Sequence, residues 1–102
     1  MKKYILTSDI INVNGIEMRR IKAIRDFGTI RTGSLGGYVE SEKNLSHRGT
    51  CWVAGNAKVG GRARVSGNAR VGGNALVIAP CFVAQDGLIT GDVQVLSLSL
   101  IF

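Results

Sequence analysis

Proline is almost missing from this chain, at 1 in 102 residues, and histidine and tryptophan each occur once. With hydrophobic residues at 45%, so little proline argues against a disordered chain. Aromatic residues make up only 6%, so the core must be thin and built from Val, Ile and Ala. The two cysteines, Cys51 and Cys81, are too few and too far apart for a disulfide framework or a metal site. The lone histidine, His47, cannot supply the three protein ligands of a catalytic zinc. No apolar run approaches the ~20 residues that cross a bilayer. The opening "MKKYILTSDIINVNG" lacks both the unbroken apolar stretch and the small-residue cleavage site of a signal peptide. These absences predict a single-domain cytoplasmic protein with no membrane segment, metal or cofactor.

Acidic residues are also scarce: 7 against 13 Lys and Arg, for a formal net charge of +6. Residues 51–74 carry Lys58, Arg62, Arg64 and Arg70 and no acid. A second basic cluster, Arg19, Arg20, Lys22 and Arg25, faces only Glu17 and Asp26. Such a surface favours anionic partners electrostatically and says nothing about fold.

What the chain has instead is repetition. Val53, Val59, Val65, Val71, Val77, Val83, Ile89 and Val95 recur every six residues without a slip. Two positions before each stands Cys51, Ala57, Ala63, Ala69, Ala75, Cys81, Gly87 or Val93, nearly all small. Gly55, Gly61, Gly67, Gly73 and Gly91 follow two positions after, with Ala79 and Gln85 as the substitutions. A small, a free and an aliphatic residue alternate in-out-in, as in a very short strand with one buried face. Glycine, often followed by Asn or Asp, then turns a corner. A strand this short is stable only when stacked on its copies.

The phrase Val71-Gly72-Gly73-Asn74-Ala75-Leu76 resembles the hexapeptide repeat of left-handed β-helix proteins. The resemblance implies three hexads per triangular coil, so each residue stacks on the one 18 positions later: Val53, Val71 and Ile89 form one column, Val59, Val77 and Val95 another. A weaker ninth hexad at Leu45-Ser46-His47-Arg48-Gly49-Thr50 would put His47 in an aliphatic slot. The expected fold is all-β: a short left-handed parallel β-helix of about three coils preceded by an N-terminal β-hairpin.

The hairpin is signalled by Asn14-Gly15 between two apolar-rich runs, which predicts strands near 3–7, 10–13 and 16–24. A loop is expected through "DFGTIRTGSLGGYVESEKN". Residues 1–44 thus form a hairpin cap and loop, and residues 45–102 the helix, in one compact domain. The stretch from Asp26 to Val59 resembles the amino-terminal part of uncharacterised hexapeptide-repeat proteins of bacteria and their phages. Such relatives often continue further, so a shortened form is expected. The closing "VLSLSLIF" reads as an apolar edge strand.

The best-known use of this repeat is acyl transfer from coenzyme A, with a histidine as general base. Here only His47 could serve, and the unbroken hexads leave no insertion to cover a substrate. Acyl transfer is therefore the second expectation, and a self-assembling structural protein the third. The glycines of "GGN" and "GGR" lack a phosphate loop's strand-loop-helix context.

The free slots are more informative. By 18-residue stacking one face carries Trp52, Arg70 and Leu88, a second Lys58, Leu76 and Gln94, and a third Arg64 and Phe82. The early coils are basic outside and the later ones apolar. The expected function is a non-catalytic binding module, bacterial or phage-encoded, that could inhibit a host or defence enzyme. Arg19, Arg20, Lys22, Arg25, Trp52, Arg64 and Arg70 would face a protein or nucleic-acid partner. Leu76, Ile78, Leu96, Leu98, Leu100 and Phe102 would make a homo-oligomer, a dimer or trimer.

Overall fold

The computed structural model describes residues 2–78 and 80–95. It is an all-β solenoid of about three turns, entered through an antiparallel hairpin. Strands β1 (Tyr4–Val13) and β2 (Ile16–Ala23) form the hairpin, and β3 is Leu35–Val39. A single 3-10 turn, Glu42–Asn44, follows. Eight two-residue strands come next: β4 (Trp52–Val53), β5 (Lys58–Val59), β6 (Arg64–Val65), β7 (Arg70–Val71), β8 (Leu76–Val77), β9 (Phe82–Val83), β10 (Leu88–Ile89) and β11 (Gln94–Val95).

These strands sort into three faces. One is the six-stranded sheet β1-β2-β3-β5-β8-β11, the second β4-β7-β10, the third β6-β9. The solenoid pairs are parallel and the residues in register are 18 apart, as Val53 with Val71 and Val71 with Ile89. Hydrogen bonds run between coils, for instance Trp52 N to Ala69 O at 3.1 Å and Arg70 N to Gly87 O at 2.9 Å. Inside lie Val53, Val59, Val65, Val71 and Val77 with Ala57, Ala63, Ala69 and Ala75, all buried. The corners turn at glycines such as Gly61 (φ 60°) and Gly73 (φ 65°). Gln85, which stands at a corner in place of glycine, takes the left-handed backbone itself, at φ 54°, which costs about 1 kcal/mol.

The hairpin turn is the expected one: Asn14 and Gly15 both have positive φ, 52° and 85°, as a type I′ turn requires. The strands predicted at 3–7 and 10–13 are a single strand, β1, whose register against β2 shifts between Leu6 and Ile10. The predicted loop through residues 26–44 needs a larger correction. It contains β3, which pairs antiparallel with β2 and parallel with β5, so the hairpin continues one solenoid face as a common sheet. Parallel stacking therefore begins ahead of residue 45.

The register also corrects the ninth hexad. Tyr38 and Val39 stand over Lys58 and Val59, and Leu45 over Val65, an offset of 20 residues where later coils show 18. Leu45, not His47, fills the aliphatic slot, and eight residues separate it from Val53 where a hexad allows six. His47 lies in the widened corner.

The close packing of β3 against β5 and Trp52 depends on Gly36 and Gly37. A Cβ on Gly37 would lie 2.3 Å from Ala57 O and 2.8 Å from Val53 Cγ1. The Gly37→Ala chain is expected to lose about 1–3 kcal/mol in urea unfolding, as overpacked cores do. An unchanged midpoint would mean that β3 does not stack on β5.

The first coil is closed by side chains from the cap. Tyr4, Ile21 and Ala23 are buried against the solenoid core. Trp52, predicted to face a partner, is a core residue here at 2% exposure. It points away from the coil axis, but the cap covers it: the Phe27 and Tyr4 rings meet it edge-on, with centroids 5.3 and 6.3 Å away. Lys3 is buried as well. Its ammonium donates to Cys51 O at 2.8 Å and Gly49 O at 3.3 Å, and sits 4.6 Å from the Phe27 ring centroid. In the next coil, 18 residues on, Ala69 O and Gly67 O accept backbone N–H groups from the coil above. Lys3 thus takes the place of a preceding coil. Burial pulls its ammonium below the usual lysine range, opposed by the neighbouring Cys51. Among the described residues no helix is long and apolar enough to cross a membrane.

Candidate binding surface

The three faces separate the basic residues that the sequence grouped together. On the six-stranded face Arg20 stands in register with Tyr38, Lys58 and Leu76, and Gln94 follows. The Arg20 guanidinium lies 4.5 Å from the Tyr38 ring centroid and donates to its hydroxyl at 2.6 Å, while pairing with Asp9 at 3.3 Å. Lys58 approaches the same ring from the other rung, at 6.0 Å. Arg19 is half-buried beside Glu17 and the carbonyl of Thr7. Lys22 and Arg25 are exposed on and just beyond β2.

The second face carries the buried Trp52 and, in register with it, Arg70, which donates to Thr29 Oγ1 at 3.0 Å. Leu88 follows at the outer end of this row, exposed. Arg64 and Phe82 stand alone in register on the third face, both exposed, Phe82 at 76%. Arg20, Arg64 and Arg70 therefore occupy three different faces. Leu76 and Ile78 are half-buried at the six-stranded face. Leu96, Leu98, Leu100 and Phe102 lie outside the described residues.

His47 is tied into the cap. Its ring stacks on Tyr4 with centroids 4.1 Å apart, Nδ1 accepts from Lys3 N at 3.1 Å, and Nε2 meets Glu42 Oε1 at 2.8 Å. Because Nδ1 accepts from a backbone N–H, the proton of the neutral ring sits on Nε2 and is donated to Glu42. Both nitrogens are occupied, and neither has a lone pair free for an acceptor group. Hydrogen bonds from His47 and Lys2 hold the Glu42 carboxyl below the usual range. Cys51 is buried, with Sγ 3.4 Å from Lys3 Nζ. Burial pushes the Cys81 thiol up, which keeps it protonated and a poor nucleophile.

The concave part of the surface lies along the Arg64–Phe82 face. Two adjoining depressions, of about 640 and 380 Å3, share Lys43, Arg64 and Phe82. Arg62 lines the larger one from the neighbouring corner, and Pro80 and Cys81 form its lower wall. Two carboxylates border this groove, and both have partners. Glu40 accepts from Gly61 N at 2.7 Å, and Glu42 holds His47 and Lys2. Lys43, Arg62 and Arg64 have no ion pair among the described residues.

Lys43 was not among the residues singled out from the sequence. It enters through the 3-10 turn, whose Asn44 side chain donates to Gly61 O at 3.2 Å and Ala63 O at 2.8 Å and so fixes the turn over this face. The cue was a hexad phrase outside the counted phase: Gly37-Tyr38-Val39, small-free-aliphatic, six residues before Leu45. Among the described residues no group of three His, Cys, Asp or Glu side chains could hold a metal ion. No protein-family model and no curated protein matches the chain.

Proposed function

We propose that the chain is a non-catalytic binding module that engages an anionic macromolecular partner through its basic surface. The observation that carries this reading is the groove beside Arg64, where Lys43, Arg62 and Arg64 lie open. Of the two bordering carboxylates, Glu42 pairs with Lys2 and His47, and Glu40 accepts from Gly61 N at the groove's edge. The sequence adds to it: from Lys43 to Gln85 the chain carries Lys43, Arg48, Lys58, Arg62, Arg64 and Arg70 and no Asp or Glu. Unscreened like charges on one surface steer an oppositely charged partner toward it.

The six-residue spacing of the aliphatic column supports membership of the hexapeptide-repeat proteins, in the bacterial and phage branch, acting in the cytoplasm. Inhibition of a host or defence enzyme is the role proposed for it, since a rigid, charged face suits one-to-one blocking of another protein's anionic site. Self-association as a dimer or trimer through the C-terminal rungs belongs to the same reading. Its support is the exposed Leu88 and Val93 and the half-buried Leu76 and Ile78.

The test is affinity capture from bacterial lysate with the parent chain and the triple variant Lys43→Glu, Arg62→Glu, Arg64→Glu. The variant is expected to retain the parent's melting temperature and lose its captured partner at least tenfold. Capture at the parent's level by a folded variant would overturn the basic-surface reading.

A further inference from the structure

The groove along β6 and β9 has a chemistry narrower than positive charge. Phe82 is exposed at 76%, an unusual position for a phenyl ring, and stands in register with Arg64 on the adjacent rung. Neighbouring rungs are ~4.8 Å apart, close enough for one planar ligand to meet both side chains. Lys43 and Arg62 flank the pair, and Ser41, Ser46 and Ser66 add hydroxyls at its margins. The larger depression, about 640 Å3, is within the range that accommodates a small organic group.

The backbone decides between two extended anionic partners. Between β6 and β9 the main-chain groups are spent from rung to rung: Arg64 N donates to Cys81 O and Ser66 N to Val83 O, both at 2.9 Å. An acidic peptide lying across these two rungs, over Arg64 and Phe82, would find no main-chain groups free between them and would lose the hydrogen bonds that give extended peptides their affinity. A single nucleic-acid strand needs no such bonds. Its charge is on its own backbone and each base offers a π-face, which suits cations surrounding an exposed ring.

We infer that this groove is a subsite for single-stranded nucleic acid, with a base lying on Phe82 and the flanking phosphates meeting Arg62, Arg64 and Lys43. The inference rests on the binding-module reading and names the class of its partner. The groove recognises a strand by stacking and charge, without reading base edges. Affinity is therefore tolerant of sequence and sensitive to salt. Three phosphate contacts predict that log K falls with log salt at a slope of about −2 for a single strand.

The experiment is fluorescence anisotropy with a labelled oligothymidylate, a duplex of equal length and polyglutamate. The proteins are the parent chain and the variants Phe82→Ala and Arg64→Gln. Both side chains are exposed, so folding should survive, and Trp52 emission checks it. Phe82→Ala is expected to weaken single-strand binding about tenfold, as loss of one stacked base would. Arg64→Gln should reduce the salt slope by about 0.7. Equal affinity for the duplex with no effect of Phe82→Ala would overturn the stacking subsite and leave the basic-surface reading standing. Preference for polyglutamate would replace the strand with an acidic protein and overturn the inference alone. Failure to bind any of the three polyanions at low salt would overturn both.

Discussion

Val71→Asp is expected to abolish cooperative folding and leave the chain in the insoluble fraction. Val71 is fully buried, with Val53 in the rung above and Ile89 in the rung below. The small neighbours Ala69 and Ala75 offer the carboxylate no hydrogen-bond donor on a side chain. An unpaired charge buried in this way costs several kcal/mol even after relaxation, and a domain's whole stability is only about 5–15 kcal/mol. Nor can the rung swing out, because β7 is hydrogen-bonded on both sides, to β4 and β10. Val71→Ala isolates the packing component and should lower stability by about 2 kcal/mol while keeping a cooperative transition. A soluble Val71→Asp chain that melts cooperatively would mean that the hexad column faces outward.

The second large effect belongs to Trp52. In urea unfolding Trp52→Ala should cost on the order of 3–5 kcal/mol, as deletion of a buried indole does. The loss has three sources: the contacts with Phe27 and Tyr4, the cavity left beneath the hairpin, and the looser seating of β3, whose Gly36 approaches Trp52 Cζ2. Trp52 is the only tryptophan, so the parent chain should emit at the short wavelengths of a dry indole and shift to the red when the cap opens. Trp52→Phe keeps much of the packing, and its partner capture should match the parent's. Stability within about 1 kcal/mol of the parent for Trp52→Ala would place the side chain on the surface.

Trp52 also shows where the sequence stops being legible. The 18-residue stacking of Arg70 under Trp52 and Phe82 under Arg64 followed from the resemblance to the hexapeptide repeat, and the hexads from Cys51 onward could be read from their spacing alone. That is local periodicity, and a two-residue strand has few other ways to bury its aliphatic side. The cap obeys no period. Whether the outward slot at position 52 faces water depends on Tyr4 and Phe27, which are 48 and 25 residues away in sequence. The first coil was hidden for a different reason. Its corner between Leu45 and Val53, which holds His47, is wider by two residues, so a search that steps back six from Val53 lands on His47 and loses the phase. The same break concealed Lys43, one of the groove's three open cations. Arg20 and Arg70 looked like partner-facing cations in a count of charges, whereas each has found an internal partner, Asp9 with Tyr38 for one and Thr29 for the other.

The buried Lys3 gives the solenoid a direction. A stack of identical coils could in principle be extended at either end, each exposed rim serving as a template for the next copy. At the hairpin end the acceptors a newcomer would use, Gly49 O and Cys51 O, already hold an ammonium ion. A second molecule docking there would have to expel a charged group and the strand it is attached to. Lys3 therefore works as a terminator: growth by coil-on-coil addition is blocked at that rim, and any filament of this protein could lengthen only from the other.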